Sequence, residues 1–268
     1  MSREIIFGQY EATDSVLHRL DPRVKLLGVL LYSALIFFCS HVLTFTFSGV
    51  MLLLLIALSG VSVGKLAKSL RPVLAILLVS VSFTVLFTGG NQILFRWGII
   101  QISVQGLLLA AKISVRIFLL ILMSELLTLT TRPTDIADGL EKACHFLTKA
   151  GVPVHEIAMM LTIALRFIPV LSGESDKLIR AQRARGADFE SCGLIEKGKK
   201  LLPLFIPLVV SAVRRSVDLA NAMEARCYRG GTGRTKMKPL HYEKRDYAAY
   251  GVLMMYAAVM ILMEILIK

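Results

Sequence analysis

Five apolar runs, at about residues 25–40, 42–60, 72–88, 106–130 and 247–267, are long enough or nearly long enough to cross the hydrocarbon core of a bilayer. A crossing takes about 20 residues and as few as roughly 17. Lipid offers the backbone no hydrogen-bond partner, so each run must satisfy its own N–H and C=O groups and is expected as a helix. The first run is the shortest. A chain that is 55% hydrophobic, with a mean hydropathy of +0.67, excludes an ordinary soluble fold. Glu4, Glu11, Asp14 and Asp21 precede the first run, which argues against a cleaved signal peptide.

Lysine and arginine set the orientation, because cytoplasmic loops keep the positive charge. Arg3, Arg19, Arg23 and Lys25 lie before or at the first run, and Lys65, Lys68 and Arg71 follow the second. Residues 131–245 hold twenty of the Lys and Arg residues, whereas the remaining loops carry only His41, Arg96 and Lys268. The N-terminus, the 61–71 loop and the 131–245 region are therefore expected in the cytoplasm, with the C-terminus outside. The net charge of +12 is a one-sided membrane charge, and no nucleic-acid partner is needed to explain it. Cys39, Cys144, Cys192 and Cys227 have neither CxxC spacing nor a zinc-ligand pattern, so free thiols are expected.

The expected fold is thus an all-α membrane protein of about five transmembrane helices plus a cytoplasmic set of amphipathic helices. It divides into 1–130 (N-terminal segment and four transmembrane helices), 131–245 (cytoplasmic helices) and 246–268 (C-terminal transmembrane helix).

The 131–245 region is too polar at intervals for ordinary spans and too apolar for a disordered loop. Arg132-Pro133-Thr134 stops the fourth membrane helix and starts another that runs to Lys149, with one apolar stripe of Ile136, Leu140, Ala143 and Leu147. Gly151 and Pro153 end it. Two longer arms follow. The first runs from about 154 to 187 and passes through Ile168-Pro169; the second starts near Lys199-Lys200 and passes through Pro203 and Ile206-Pro207. An internal proline removes a backbone donor and bends a helix.

Both arms end in the same short pattern. Ala181-Gln182-Arg183-Ala184-Arg185-Gly186 closes the first, and Ala222-Met223-Glu224-Ala225-Arg226-Cys227 closes the second. Alanine favours the helix and leaves its surface thin, so a partner's groove can approach closely. A single arginine then offers a planar fork for carboxylates or carbonyls at the groove's end. Gly186 suits a helix C-cap; Cys227 in the matching place suits a left-handed cap poorly. The interval from Ile206 to Arg226 is also three residues longer than that from Ile168 to Arg185. The competing reading is a basic cytoplasmic domain whose helices snorkel beside anionic lipids.

With Gly8-Gln9-Tyr10, Leu17-His18-Arg19-Leu20-Asp21-Pro22-Arg23-Val24-Lys25, Thr131-Arg132-Pro133, Ala164-Leu165-Arg166-Phe167-Ile168-Pro169 and Arg229-Gly230-Gly231 added in order, the chain resembles the transmembrane T component of energy-coupling-factor transporters. The likeness covers nearly the whole sequence. It implies a non-catalytic scaffold in an ATP-driven importer of vitamins or other micronutrients. It also implies three classes of partner: two ABC-type ATPases, a membrane-embedded substrate-binding S component, and membrane lipids. In that family the cytoplasmic helices are coupling helices, so Ala184, Arg185, Gly186, Ala225, Arg226 and Cys227 would dock on the ATPases. The unequal arms suit two non-identical ATPases. Cys227 departs from the expected glycine.

No cofactor is expected on this chain. It has no G-x-x-x-x-G-K-[ST] loop for ATP, and Gly230-Gly231-Thr232-Gly233-Arg234 lacks the lysine and reads as a turn. Lys112, Arg116 and Glu125 fall inside the fourth apolar run, where charge is costly; they are candidates for a structural pair or a contact with the S component, against snorkelling to the interface. Glu141 with His145, and His155 with Glu156, are the only pairs that hint at metal binding or a proton relay, and surface helices collect such pairs routinely. A stand-alone secondary transporter would need facing ionisable groups near the midplane, and the first three runs carry none. A membrane enzyme would need converging catalytic groups, and the five histidines are scattered.

Overall fold

Proline and aspartate decide where the first helix begins. Pro22 occupies its first turn, and the Asp21 carboxylate accepts the Arg23 N–H, so α1 (Pro22–Phe38) starts where the chain leaves its acidic N-terminal segment. The structure, a computed structural model, describes residues 10–11, 13–89, 93–97, 100–186, 194–230 and 240–267. It contains α2 (Val42–Ser59), α3 (Val63–Phe87), a hairpin of β1 (Ile93–Trp97) and β2 (Ile100–Ser103), α4 (Val104–Thr130), α5 (Pro133–Ala143), a 3-10 turn (Cys144–Ala150), α6 (Val154–Ala184), α7 (Leu194–Ala225) and α8 (Lys244–Leu266). The chain is an all-α membrane protein, and the antiparallel hairpin between α3 and α4 is the one strand pairing among the described residues. The Gly230–Arg234 turn lies mostly outside those residues.

The chain forms two compact units, Met1–Gly139 with Leu240–Lys268, and Leu140–Pro239. In the first, α1 packs on α4 and α8, α2 on α4 and α8, and α3 on α4. Its core joins apolar residues to one polar knot: the Tyr32 hydroxyl donates to the Ser48 carbonyl at 3.2 Å, the Ser48 hydroxyl meets the Tyr256 hydroxyl at 3.0 Å, and the Tyr32 and Tyr256 rings stack. Water cannot take these groups inside lipid, so bonds between helices must. Asp246 performs a similar service at the other end. One of its oxygens accepts the Glu243 N–H and closes a capping box on α8, while the other accepts the Asp21 N–H at 2.9 Å. A single buried carboxylate thus ties the starts of α1 and α8 together across 225 positions of sequence.

Two of the expected spans need revision. By length and composition, α2, α4, α6 and α8 can cross a membrane, and α3 makes a fifth if its two parts count as one span. Those parts, Gly64–Arg71 and Val73–Phe87, meet at a 52° bend where Pro72 lacks the N–H the helix needs. The 17-residue α1 is too short to qualify, and α6 qualifies although no ordinary span was expected in the 131–245 region. The reason is segregation: apart from His155, Glu156 and Arg166, the charges of α6 all lie beyond Gly173. The second arm also begins earlier than expected, at Leu194.

Candidate functional site

The two arms end in the same backbone motif. In α6 the last helical residue is Ala184, Arg185 is the C-cap, and Gly186 takes the left-handed conformation with φ of 88°. The Gly186 N–H donates to the Arg183 carbonyl at 3.0 Å. In α7 the chain repeats this residue for residue. Ala225 is last, the Cys227 N–H donates to the Glu224 carbonyl at 2.8 Å, and the Tyr228 N–H donates to the Met223 carbonyl at 3.0 Å. These paired bonds form a Schellman ending. Cys227 therefore sits at φ of 56°, the only non-glycine with positive φ among the described residues. The poor fit expected of cysteine lies in torsion and not in room for its side chain, which is exposed. The outcome is that Ala184, Arg185 and Gly186 correspond to Ala225, Arg226 and Cys227 in backbone ending although Gly186 and Cys227 differ in type, and all six are exposed.

Within the second unit α6 and α7 pack against each other. Glu174 of α6 accepts from the Ser211 hydroxyl at 2.7 Å and from the Arg215 guanidinium at 3.2 Å. A cavity of about 260 Å³ lies between Ile163, Phe167 and Leu171 on one arm and Ala212, Leu219 and Met223 on the other. Early residues of α6 thus face late residues of α7, and the arms run antiparallel. The tip arginines point in opposite directions. Each lies eleven residues beyond the Glu174–Arg215 pair through helix without proline, which puts them about 35 Å apart at most.

The family described as "Cobalt transport protein" (CbiQ) matches residues 13–237 of this chain. The energy-coupling factor transporter transmembrane protein EcfT of Clostridium kluyveri is 46% identical over 93% of this chain and 93% of its own length. The proteins of that name from Brevibacillus brevis, at 47% over 92% and 93%, and Bacillus subtilis, at 40% over 97% and 98%, are similar to the same extent. The chain belongs to the energy-coupling factor transporter transmembrane protein family. It is a multi-helix membrane component of a transporter of this kind.

The charged residues of α4 occupy distinct places in this family member. Arg116 donates to the Cys39 carbonyl at 2.7 Å, and its guanidinium faces the Phe37 and Phe45 rings. Glu264 of α8 accepts the Ser40 N–H at the same turn. Because α1 and α4 run antiparallel, and Lys25 near the start of α1 donates to the Thr130 carbonyl, Arg116 lies level with the far end of α1 rather than at mid-depth. It closes the α1–α2 turn. Lys112, one turn further along, is exposed, and Glu125 is half-buried with Oε1 lacking a hydrogen-bond partner. These three belong to the first unit, and the arm tips to the second.

The histidine pairs read from sequence are not the ones that form. His155 bonds to Glu141 at 2.9 Å across fourteen positions, rather than to its neighbour Glu156, while His145 meets Thr148. No group of three metal-ligating side chains occurs among the described residues. Cys39, Cys144 and Cys227 are free thiols; Cys192 lies outside those residues. The motif around Leu17–Lys25 acquires a structural reason that spacing alone did not offer. His18 meets the Ser15 hydroxyl at 2.7 Å, Lys25 donates to the His18 carbonyl, and the Glu11 N–H donates to the Leu129 carbonyl, so the N-terminal segment is tied to the end of α4. Burial holds the His18 imidazole below its usual pKa, and the Lys25 charge adds to the effect.

Proposed function

We propose that this chain is the non-catalytic scaffold of an ATP-driven importer, and that the tips of α6 and α7 dock on two ABC-type ATPase subunits. The observation that carries the reading is the shared ending: two antiparallel arms present an exposed arginine at the same C-cap position. Ala181, Ala184, Ala222 and Ala225 leave each tip thin, and the following left-handed residue turns the chain away so that the arginine terminates the helix. Each tip fits a groove with carboxylates or carbonyls at its end.

The mechanism is mechanical. Closure of the ATPases on ATP would move two grooves relative to each other, and the paired arms would carry that movement to the membrane helices and to a small S component that captures the substrate, a vitamin or another micronutrient. ATP is used by the partners, and this chain contributes no cofactor site. Membrane lipids surround the apolar faces.

The N-terminus and both arm tips are cytoplasmic in this reading, with the C-terminus outside. The apolar first half of α6 enters the inner face of the membrane without crossing it. A full crossing would carry Arg180, Arg183 and Arg185 to the far side, against the charge rule that orients the rest of the chain.

The test is co-purification of the tagged complex from cells that supply its ATPases. Arg185→Glu with Arg226→Glu is expected to release both ATPases and abolish uptake, while the chain remains in the membrane. Retention of both partners with uptake intact would refute the docking role.

A further inference from the structure

The common ending aligns the two arms in one register, and that register exposes a reversal of charge. Counting back from the tip arginine, the frame is alike at three points: alanine one and four residues before it, and leucine seven before it, at Leu178 and Leu219. Between these fixed points the arms differ in charge, with opposite signs at two positions and a cation against a neutral amide at the third. Two residues before the tip stand Arg183 and Glu224, five before it Arg180 and Asn221, and eight before it Lys177 and Asp218. All six are exposed. The first arm thus carries a basic stripe of Lys, Arg and Arg where the second carries Asp, Asn and Glu. Positions three apart lie on neighbouring rows of one helix face. Lipid binding explains the first stripe but not the second, since an anionic surface repels Asp218 and Glu224.

Resting on the docking role proposed above, we infer that the two arms are sorted by charge between two different ATPases. The first arm takes a subunit whose groove is acidic beside the site for Arg185. The second takes one whose groove is basic beside the site for Arg226. The arginine, common to both, supplies the shared contact; the stripe supplies the choice. Juxtaposed like charges would oppose the exchanged pairing, so the discrimination comes from repulsion as well as attraction.

The experiment uses the full chain co-expressed with its ATPases, and reads the ratio of the two ATPases recovered with it. Giving the second arm the first arm's stripe, by Asp218→Lys, Asn221→Arg and Glu224→Arg, is expected to deplete the second arm's ATPase at least tenfold relative to the other. Giving the first arm the opposite stripe, by Lys177→Asp, Arg180→Asn and Arg183→Glu, is expected to deplete the other one. A chain with both stripes exchanged is expected to recover both ATPases at the original ratio, because each finds its charge on the opposite arm. Damage to the helices would not be reversed in that chain. An unchanged ratio in the single-arm variants, equal loss of both subunits, or failure of the double exchange would overturn the sorting. It would leave the arginines' docking role standing wherever Arg185→Glu with Arg226→Glu still releases both partners.

Discussion

Glu174 and Arg215 each lie eleven residues before the tip arginine of their own arm, and they pair with each other at 3.2 Å. The arms therefore meet at equivalent positions, and the pair marks a local two-fold relation between them. This contact, with the apolar side chains around it, is where a displacement of one arm is expected to reach the other.

Breaking that pair is expected to uncouple the arms while leaving their tips intact. Both side chains are partly exposed, so solvent screens the pair and its own contribution to stability is small. Glu174→Arg, which places like charges together, is expected to slow uptake while both ATPases remain bound. Adding Arg215→Glu should restore part of the rate, short of the whole because the Ser211 bond is not rebuilt. Uptake and co-purification of the single and double variants provide the cycle. Additive losses would show that the pair does not couple the arms.

Cys227 pays in torsion for a place that Gly186 holds freely. Left-handed backbone costs an ordinary residue about 1–2 kcal/mol. Cys227→Gly is expected to firm the end of α7 by about 1 kcal/mol, and Cys227→Val to fray it, because a β-branched residue resists positive φ most. The amides of residues 227 and 228, bonded to the Glu224 and Met223 carbonyls, are the probes. Their hydrogen exchange should slow in the glycine variant and quicken in the valine variant.

The N-terminal segment is expected to loosen in mild acid. His18 is held neutral by burial, below the ordinary value of 6.5. As pH falls through about 6.5, the unfolded segment gains a proton that the folded one resists, so the stability present above that pH is progressively lost. After correction for the intrinsic rate, exchange of the Glu11 amide should rise between pH 7 and 5. His18→Gln should remove most of that dependence. An equal rise in both proteins would assign it to another group.

Features carried by local signals were legible in the sequence. Apolar length marked most spans, and alanine and arginine at fixed offsets marked both arm endings, because helix propensity and capping act within one or two turns. Depth in the membrane was less legible. No ordinary span was expected between 131 and 245, yet the apolar first half of α6 makes it long and apolar enough to be one, while α1 is held by Asp246 and Arg116 despite its length. Contacts between distant residues left no local trace: Asp21 with Asp246, Arg116 with the Cys39 carbonyl, and His155 with Glu141. Each pairing is chosen by how helices pack, and no offset along one helix encodes it. The equivalence of Glu174 and Arg215 was also hidden, since it emerges only when the shared C-cap sets the two arms in register.

The most direct measurement places a photo-crosslinking residue at position 185 or at position 226 of the full complex, in the membrane, with position 254 on the exposed face of α8 as a control. The account predicts that each tip yields an adduct of this chain with an ATPase subunit, and that position 254 yields none. Adducts of both tips with lipid alone, or with the S component and no ATPase, would contradict it.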